Sequence, residues 1–203
     1  MAKNNKKPRG YFDKILFMDA ETTGLKYNHY DPSEGFQSIS WGLIVADMNT
    51  LKVLDELYVE IKWNGVDEWA KGAQRVHGMS KEYLEKNGVT EEEAVVKIGN
   101  FIVKHWGPEA SIRVGGHNVG SFDLWFMRRL MSKFGLPFKT GNRHLDTYSV
   151  GITTLRTYTS DALFEAVGLP IRDASKHNAL EDARYALEVV RRVRMLWDEF
   201  VEA

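Results

Sequence analysis

Cysteine is absent from all 203 positions of the sequence. Its absence excludes a disulfide framework, a thiolate nucleophile and a zinc site built on sulfur ligands. The sequence also has no apolar run of the roughly 18 residues that a membrane span needs. Its polar start, Met1 to Gly10, is not followed by the apolar stretch of a secretory signal. We therefore expect a cytoplasmic protein that does not contact a membrane.

The sequence also lacks an excess of charge of either sign. Its 27 basic residues nearly balance its 28 acidic residues, and the formal net charge is −1. Bulk positive charge is what attracts proteins to long nucleic-acid duplexes without regard to sequence. Strong binding of that kind is therefore not expected. A polyanionic ligand would have to be attracted by something other than bulk positive charge.

The sequence predicts a simple domain organisation. Residues 1–10 are polar and rich in lysine, which predicts a flexible basic tail. Residues 11–203 contain no internal repeat, no low-complexity tract and no linker long enough to separate two domains. Hydrophobic residues occupy 43% of the positions, which is enough to build a buried core. We predict a single domain over residues 11–203.

Hydrophobic periodicity predicts strands at the start of the chain and a mixture of strands and helices after them. The predicted strands are Lys14–Glu21, Ser38–Asp47, Val53–Ile61 and the short Ser111–Val114, with a loop over Lys26–Phe36. The predicted helices are Glu68–Val76, one that follows a Thr90–Glu93 capping box, Ser121–Phe134, Asp146–Thr157, Asp161–Val167 and Asn178–Phe200. This order of elements is typical of a layered α/β or α+β domain.

Two acidic residues follow the apolar part of the first strand. Asp19 and Glu21 are two positions apart, so their side chains share one face of the strand. That strand is apolar on both faces, which is typical of a central strand. Two neighbouring carboxylates repel each other when both are ionised, unless a cation lies between them. Taken alone, such a pair is more often made of solvated loop residues.

Two more acidic residues fall on the apolar stripes of predicted helices. Asp123 lies on the stripe that continues through Phe126 and Met127, and Asp182 lies among the alanines of the last helix. Burial of an unpaired carboxylate costs several kcal/mol or shifts its pKa. The four carboxylates therefore suggest a site for one or two divalent cations. All-oxygen ligation favours Mg²⁺ or Mn²⁺ over Zn²⁺.

One histidine precedes the last of these acids by five positions. A lone histidine is more often structural than catalytic, but the expected metal site beside His177 changes that balance. An imidazole with an ordinary pKa of ~6.5 is suited to accept a proton from water near neutral pH. His177 is therefore a candidate general base.

Three motifs in order resemble those of the DnaQ-like (DEDDh) 3′–5′ exonucleases of the ribonuclease-H-like superfamily. They are D-A-E-T-T-G-L over Asp19–Leu25, H-N-V-G-S-F-D over His117–Asp123, and H-N-A-L-E-D over His177–Asp182. Shorter similarities are V-H-G-M over Val76–Met79, L-D-T over Leu145–Thr147 and S-D-A-L over Ser160–Leu163. A single motif would be weak support, whereas three in order with matching strand and helix contexts are specific.

The resemblance implies a five-stranded mixed sheet with helices on both sides, so that residues 11–203 would be one exonuclease domain. It implies that two divalent cations, Mg²⁺ or Mn²⁺, bind to Asp19, Glu21, Asp123 and Asp182, and that His177 is the general base. It also implies a pocket for the 3′-terminal nucleotide, formed by Thr22, Thr23, Gly24, Leu25, His77, Asn118 and Phe122. The reaction would release nucleoside 5′-monophosphates from single-stranded or frayed DNA.

Several alternatives stay open at this point. The pocket motifs do not distinguish DNA from RNA, so an exoribonuclease acting on short RNA or RNA 3′ ends is the first alternative. A non-catalytic module that binds nucleic-acid ends or a polymerase is less favoured, because all four carboxylates and the histidine are present. The spacing of the third motif argues against a transferase or an endonuclease. The expected partner is a single-stranded 3′ end, with a polymerase or a second copy of the chain as further candidates.

The sequence also departs from the family pattern in places. The loop Lys26–Phe36 is longer than in compact members, and Ser40 and Trp41 replace an acidic residue common in the second strand. Trp63 and Trp69 stand where relatives often have proline. These differences concern substrate choice or a partner surface, or else simple aromatic packing.

Overall fold

A computed structural model describes residues 13–25, 35–108, 111–170 and 177–202. The predicted tail at residues 1–10 and most of the predicted loop Lys26–Phe36 lie outside these ranges. Among the described residues, no helix is both long enough and apolar enough to cross a membrane.

Five strands form one mixed sheet. They are β1 (Lys14–Thr22), β2 (Ser38–Asp47), β3 (Val53–Glu60), β4 (Val114–Gly116) and β5 (Leu145–Asp146), in the order β3-β2-β1-β4-β5. The first three strands are antiparallel neighbours, and β4 and β5 run parallel to β1. This arrangement confirms the predicted five-stranded mixed sheet and the central position of β1.

Most of the predicted helices are present, some with shifted ends. They are α1 (Lys71–His77), α2 (Lys81–Asn87), α3 (Glu91–Trp106), α4 (Asp123–Ser132), α5 (Thr147–Val150), α6 (Ser160–Ala166) and α7 (Ala179–Glu202). The predicted Thr90–Glu93 capping box is present at the start of α3. Helix α2 was not predicted, although the Ser80 side chain accepts a hydrogen bond from the Tyr83 N–H at its start.

Three predicted boundaries were wrong for local reasons. Helix α1 starts at Lys71 instead of Glu68, because Glu68 forms a bridge with Phe36 and Ala70 is extended (φ −87°, ψ 125°). Strand β4 starts at Val114 instead of Ser111, because pairing with β1 begins there. The predicted helix Asp146–Thr157 is divided into α5 and a π-helical turn that ends where Arg156 adopts a left-handed conformation (φ 55°).

Alternating residues of β1 separate two hydrophobic layers. Leu16 and Met18 pack on the side of α3 and α4. Ile15 and Phe17 pack on the opposite side, against Ala183 and other inner-face residues of α7. The predicted placement of helices on both sides of the sheet is thus confirmed. Because Asp19 and Glu21 continue the Ile15–Phe17 face, their side chains lie on the side of the sheet that α7 covers.

A glycine allows α7 to approach the sheet closely. Gly42 of β2 pairs with Asp19 of β1, and the backbone of Ala179 and Leu180 lies directly over it. A Cβ atom at Gly42 would collide with that backbone. This close contact brings the start of α7, and with it Asp182, to the acidic end of β1.

We expect Gly42→Ala to destabilise the protein. The collision is with backbone atoms, which cannot turn away as a flexible side chain can, so the free energy of unfolding should fall by about 1–3 kcal/mol. The matched control is Gly99→Ala within α3, where an added Cβ meets no heavy atom within 4 Å. That variant should gain about 0.5–1 kcal/mol from helix propensity.

Urea unfolding of the two variants checks this prediction. Equal stability of Gly42→Ala and the wild type would show that the start of α7 does not lie against β2 at this position.

Candidate active site

The carboxyl end of β1 carries two of the predicted ligands. Glu21 is buried and Asp19 is half-buried, and both project from the face of the sheet that α7 covers. In the register of β1 and β2, Glu21 pairs with Ser40. The small Ser40 leaves room beside Glu21, whereas the space over Gly42 beside Asp19 is filled by the start of α7.

The first turn of α7 contributes a carboxylate, and the segment just before the helix contributes an imidazole. Nδ1 of His177 lies 3.3 Å from Oδ2 of Asp182. One ligand atom from each of Glu21, His177 and Asp182 lies within 4.8 Å of the others. The first and third motifs therefore meet in space, as the sequence predicts.

The start of α7 is held by hydrogen bonds of its own. The Asn178 side chain accepts from the N–H groups of Leu180 and Glu181, at 3.0 and 3.2 Å, which confirms the predicted N-cap. The Asp182 N–H donates to the carbonyl of Asn178. The His177 N–H donates to the carbonyl of Val76 at 3.3 Å, so the end of α1 also supports this segment.

Asp123 reaches the same strand end from the other layer. It starts α4, is only 2% exposed, and accepts a hydrogen bond of 2.9 Å from the Ala20 N–H, between Asp19 and Glu21. Burial raises the pKa of Asp123 well above its ordinary value, and the nearby charges of Glu21 and Asp146 raise it further. The second motif thus joins the other two, and its carboxylate lies in an environment that resists ionisation without a cation.

Asp146 lies beside the site and supports its structure, although it was not among the predicted site residues. Its Oδ1 accepts hydrogen bonds of 2.9 Å from the N–H groups of Asn118 and Tyr148. Asn118 is exposed and held in a left-handed conformation (φ 57°). The L-D-T similarity at Leu145–Thr147 was the available signal. Asp146 therefore fixes the second motif through its backbone.

The residues of the predicted nucleotide pocket are arranged around the end of β1. Leu25 is 78% exposed, and the Thr22 hydroxyl donates to the carbonyl of Gly24 at 2.8 Å. Thr23 is fully buried: its N–H donates to the carbonyl of Gln37, and its carbonyl accepts from the N–H of Ala70. Both main-chain groups of Thr23 thus bind within the protein, and a nucleotide contact there stays a prediction.

A buried ion pair that the sequence did not reveal lies close to the end of the first motif. Arg129 donates to both carboxylate oxygens of Asp67, at 2.7 and 3.0 Å, and to the carbonyl of Phe36 at 2.8 Å. Burial opposes ionisation of Asp67, but hydrogen bonds from Arg129 and Asn64 outweigh it and lower its pKa. A Cβ on Gly24 would collide with the Phe36 ring. The pair therefore holds Phe36, whose ring packs against Gly24 at the end of the first motif.

Phe122 and His77 occupy different surroundings. Phe122 is half-buried beside Phe126, with ring centroids 5.0 Å apart. His77 is 4% exposed, and its Nδ1 accepts from the Met79 N–H at 3.1 Å. A neutral imidazole that accepts at Nδ1 carries its proton on Nε2. Among the described residues, Nε2 of His77 has no hydrogen-bond partner, so it is a buried donor.

The two tryptophans that depart from the family pattern pack near His77. The Trp69 ring lies edge-on to His77 at 5.9 Å and to Trp63 at 6.1 Å. The ammonium of Lys81 lies 3.3 Å from the Trp63 ring centre. Both indole N–H groups donate within the protein, to Asp67 and Gln74. The described contacts are those of aromatic packing, one of the two interpretations of these residues.

Comparisons with known proteins agree with this geometry. The sequence profile of the RNase_T family, described as exonuclease, matches residues 16–190. No curated protein sequence matches the chain. Escherichia coli Exonuclease I in complex with a 5cy-dT13 oligonucleotide is similar with a TM-score of 0.70 and 16% identity, over 92% of this chain and 41% of that chain.

Two further solved structures are similar to the same extent. The zinc-bound form of the E. coli ExoI–ssDNA complex has a TM-score of 0.72, 16% identity, and coverage of 90% of this chain and 41% of that chain. The ExoI/SSB-Ct complex has a TM-score of 0.69 and 16% identity, with the same coverage. The present chain therefore spans well under half the length of these relatives. The likeness confirms the predicted ribonuclease-H-like fold.

The buried imidazole of His77 generates a prediction about pH. Burial, with a contribution from the nearby His177, lowers the pKa of His77 from 6.5 to about 4. Between these values the unfolded chain binds a proton that the folded chain does not. The free energy of unfolding should therefore be unaffected by the titration of His77 above pH 6.5. As the pH falls from 6.5 toward 4 it should decrease, by up to about 1.4 kcal/mol per pH unit.

His77→Gln, which does not titrate in this range, provides the comparison. The free energy of unfolding of the wild type, minus that of the variant, should decrease as the pH is lowered from 6.5 toward 4. Urea titrations at several pH values, with chelator present, measure this difference. A difference that does not change with pH would contradict a neutral, buried His77.

Proposed function

The chain belongs to the RNase_T exonuclease family, and from this premise we propose that it is a 3′–5′ exonuclease of single-stranded or frayed DNA. In this proposal it uses two divalent cations and releases nucleoside 5′-monophosphates. The observation that carries the proposal is the meeting of Glu21, Asp123 and Asp182, from three separate segments, at one strand end. A protein that only bound nucleic-acid ends would have no need to bury these acids together.

The residues present fit Mg²⁺ or Mn²⁺. Asp19, Glu21, Asp123 and Asp182 would hold the cations, and carboxylate oxygens are the ligands that these cations prefer. The raised pKa of Asp123 supports this fit, because a cation would offset the burial and repulsion that cause it. When bound, the metals would supply charge that stabilises the phosphate transition state and activates water.

His177 is proposed to accept the proton of the attacking water. Its side chain is 20% exposed, so water can reach the ring, while Asp182 lies beside Nδ1. A proton on Nδ1 that points to Asp182 leaves Nε2 as the proton acceptor. Asp182 would thereby orient the base as well as bind a cation.

The surroundings of the acids supply contacts for a strand end. The exposed Leu25 is available to pack against the terminal base, with Phe122 on the neighbouring motif. His77 is close enough to His177 for their charges to interact, and its buried Nε2–H is a donor with no partner among the described residues. Bound cations also answer the lack of bulk positive charge, because they provide a local attraction for phosphate on a chain of net charge −1.

DNA is favoured over RNA because the solved relatives include complexes of Exonuclease I with dT13 and with ssDNA. The exoribonuclease alternative is retained as an outcome of the substrate test. A polymerase or a second copy of the chain stays a predicted partner, and residues 11–203 as a single exonuclease domain stay a prediction.

The metal assignment predicts the behaviour of Asp182→Asn. The substitution removes a ligand charge with little change in volume, so hydrolysis should fall more than about a hundredfold, beyond the effect of losing an outer-shell partner. Manganese should raise the melting temperature of the wild type by mass action and that of the variant much less. Asp198→Asn, at an exposed position of the same helix, is the matched control and should behave as the wild type does. Equal manganese shifts in all three proteins would refute the assignment.

The proposed activity predicts a specific pattern of products. With 5′-labelled oligonucleotides, the chain should produce a ladder that shortens from the 3′ end, and a 3′-phosphate should block it. Matched DNA and RNA oligonucleotides decide the substrate by their relative rates. Cleavage of a circular single strand as fast as a linear one would show an endonuclease instead.

A further inference from the structure

The last two turns of α7 expose an apolar stripe. Nearer the start of this helix, inner-face residues such as Ala186 and Val190 are buried against the sheet. The same face continues with helical spacing at positions 193, 196, 197, 200 and 201. Val193 still packs beside α6 in the body of the protein. The four residues after it form what we call the end patch: Leu196, Trp197, Phe200 and Val201.

The side chains of the end patch are in contact with solvent. Their exposed fractions range from 50% for Leu196 to 73% for Phe200. The rings of Trp197 and Phe200 lie 5.9 Å apart, so the patch is continuous. Single exposed hydrophobic residues are ordinary on protein surfaces, whereas a continuous apolar patch marks a surface that binds a partner. The end patch is therefore an interaction surface.

The charges on either side of the end patch are of opposite sign. The turn before the patch is basic and contains Arg191, Arg192 and Arg194. Glu188 lies 3.2 Å from both Arg191 and Arg192 and offsets only part of this positive charge. The far end of the helix is acidic, with Glu199 and Glu202. The patch thus lies between a basic turn and an acidic helix end.

This arrangement of charge identifies the partner as a second copy of the chain. Two α7 helices that pack antiparallel through their end patches place the acidic end of each helix against the basic turn of the other. Parallel packing would bring the two acidic ends together, which is repulsive. An antiparallel pair related by a two-fold axis buries the same surface on both copies, and this is the commonest symmetry of protein oligomers.

The charged and apolar positions also agree on one register. When the axis passes midway between positions 194 and 202, Glu202 of one copy lies opposite Arg194 of the second copy. The same register sets Leu196 opposite Phe200 and brings the two Trp197 side chains close to the axis. Arg194 already donates to carbonyl groups of the turn between β2 and β3, at 2.9 and 3.2 Å, so little ordering is needed when it meets an acid.

We propose that the end patch is the interface of a homodimer in which two α7 helices pack antiparallel about a two-fold axis. Four large side chains on each copy are fewer than the roughly 20–30 residues that each partner contributes to a stable interface. We therefore expect a reversible dimer that forms at micromolar concentration. Phe200 lies about 27 Å along the helix from Asp182, so the dimer leaves both candidate active sites open. The proposal does not depend on the proposed function.

Sedimentation-velocity ultracentrifugation of the full chain without an affinity tag tests the proposal. The wild type should change from monomer to dimer as its concentration rises through the micromolar range. Trp197→Ser and Phe200→Ser should each raise the dissociation constant at least about tenfold, because each removes a large apolar side chain from both copies. The control is Tyr158→Ser, at a residue that is 69% exposed but lies outside α7, and it should leave the constant unchanged. Circular dichroism verifies that each variant is folded.

Charge reversal tests the antiparallel register. Glu202→Lys should weaken the dimer severalfold at low salt, because it places a lysine opposite Arg194, and the difference should shrink as salt screens the charges. The double variant with Arg194→Glu and Glu202→Lys restores opposite charges and should recover most of the lost affinity.

Three results would overturn the proposal. A wild type that stays monomeric at every concentration would show that a different partner covers the end patch. A dimer that neither Trp197→Ser nor Phe200→Ser weakens would place the interface elsewhere, and tighter association of Glu202→Lys would indicate parallel helices. The measurements use no nucleic acid, so the dimer can fail while the exonuclease proposal holds, and the reverse.

Discussion

Electrostatic repulsion at the carboxyl end of β1 is the constraint on which the rest of the structure depends. Backbone contacts of β1, α4 and α7 bring the acids of these elements together there. The Ala20 N–H holds Asp123, and the close approach over Gly42 places α7 and Asp182. The concentration of carboxylates thus destabilises the folded state, and a bound cation would reduce the repulsion.

The surrounding elements act as braces for this arrangement. Arg129 and Asp67 hold Phe36 against the end of the first motif, Asp146 fixes the backbone of the second, and the Asn178 cap fixes the third. These contacts lie in three different parts of the chain, so the three motifs are held independently. Rigid ligands suit a site that must select its cation by donor type and geometry.

Local patterns were enough to predict the elements that carry the site. The alternation in β1 placed Asp19 and Glu21 on one face, and the helical period placed Asp182 on the inner side of α7. The Asp67–Arg129 pair and the start of β4 could not be predicted, because they depend on partners that are distant in sequence. The neutral state of His77 likewise follows from burial, which periodicity alone does not reveal.

Anomalous diffraction from crystals grown with manganese tests the central claim most directly. The account predicts strong anomalous peaks among the carboxylates of Asp19, Glu21, Asp123 and Asp182. The acidic first turn of α3, Glu91 to Glu93, serves as an internal comparison, because it also concentrates carboxylates, but Glu93 belongs to a capping box and Glu91 pairs with Lys133. Peaks only at α3, or no peak at the end of β1, would contradict the account.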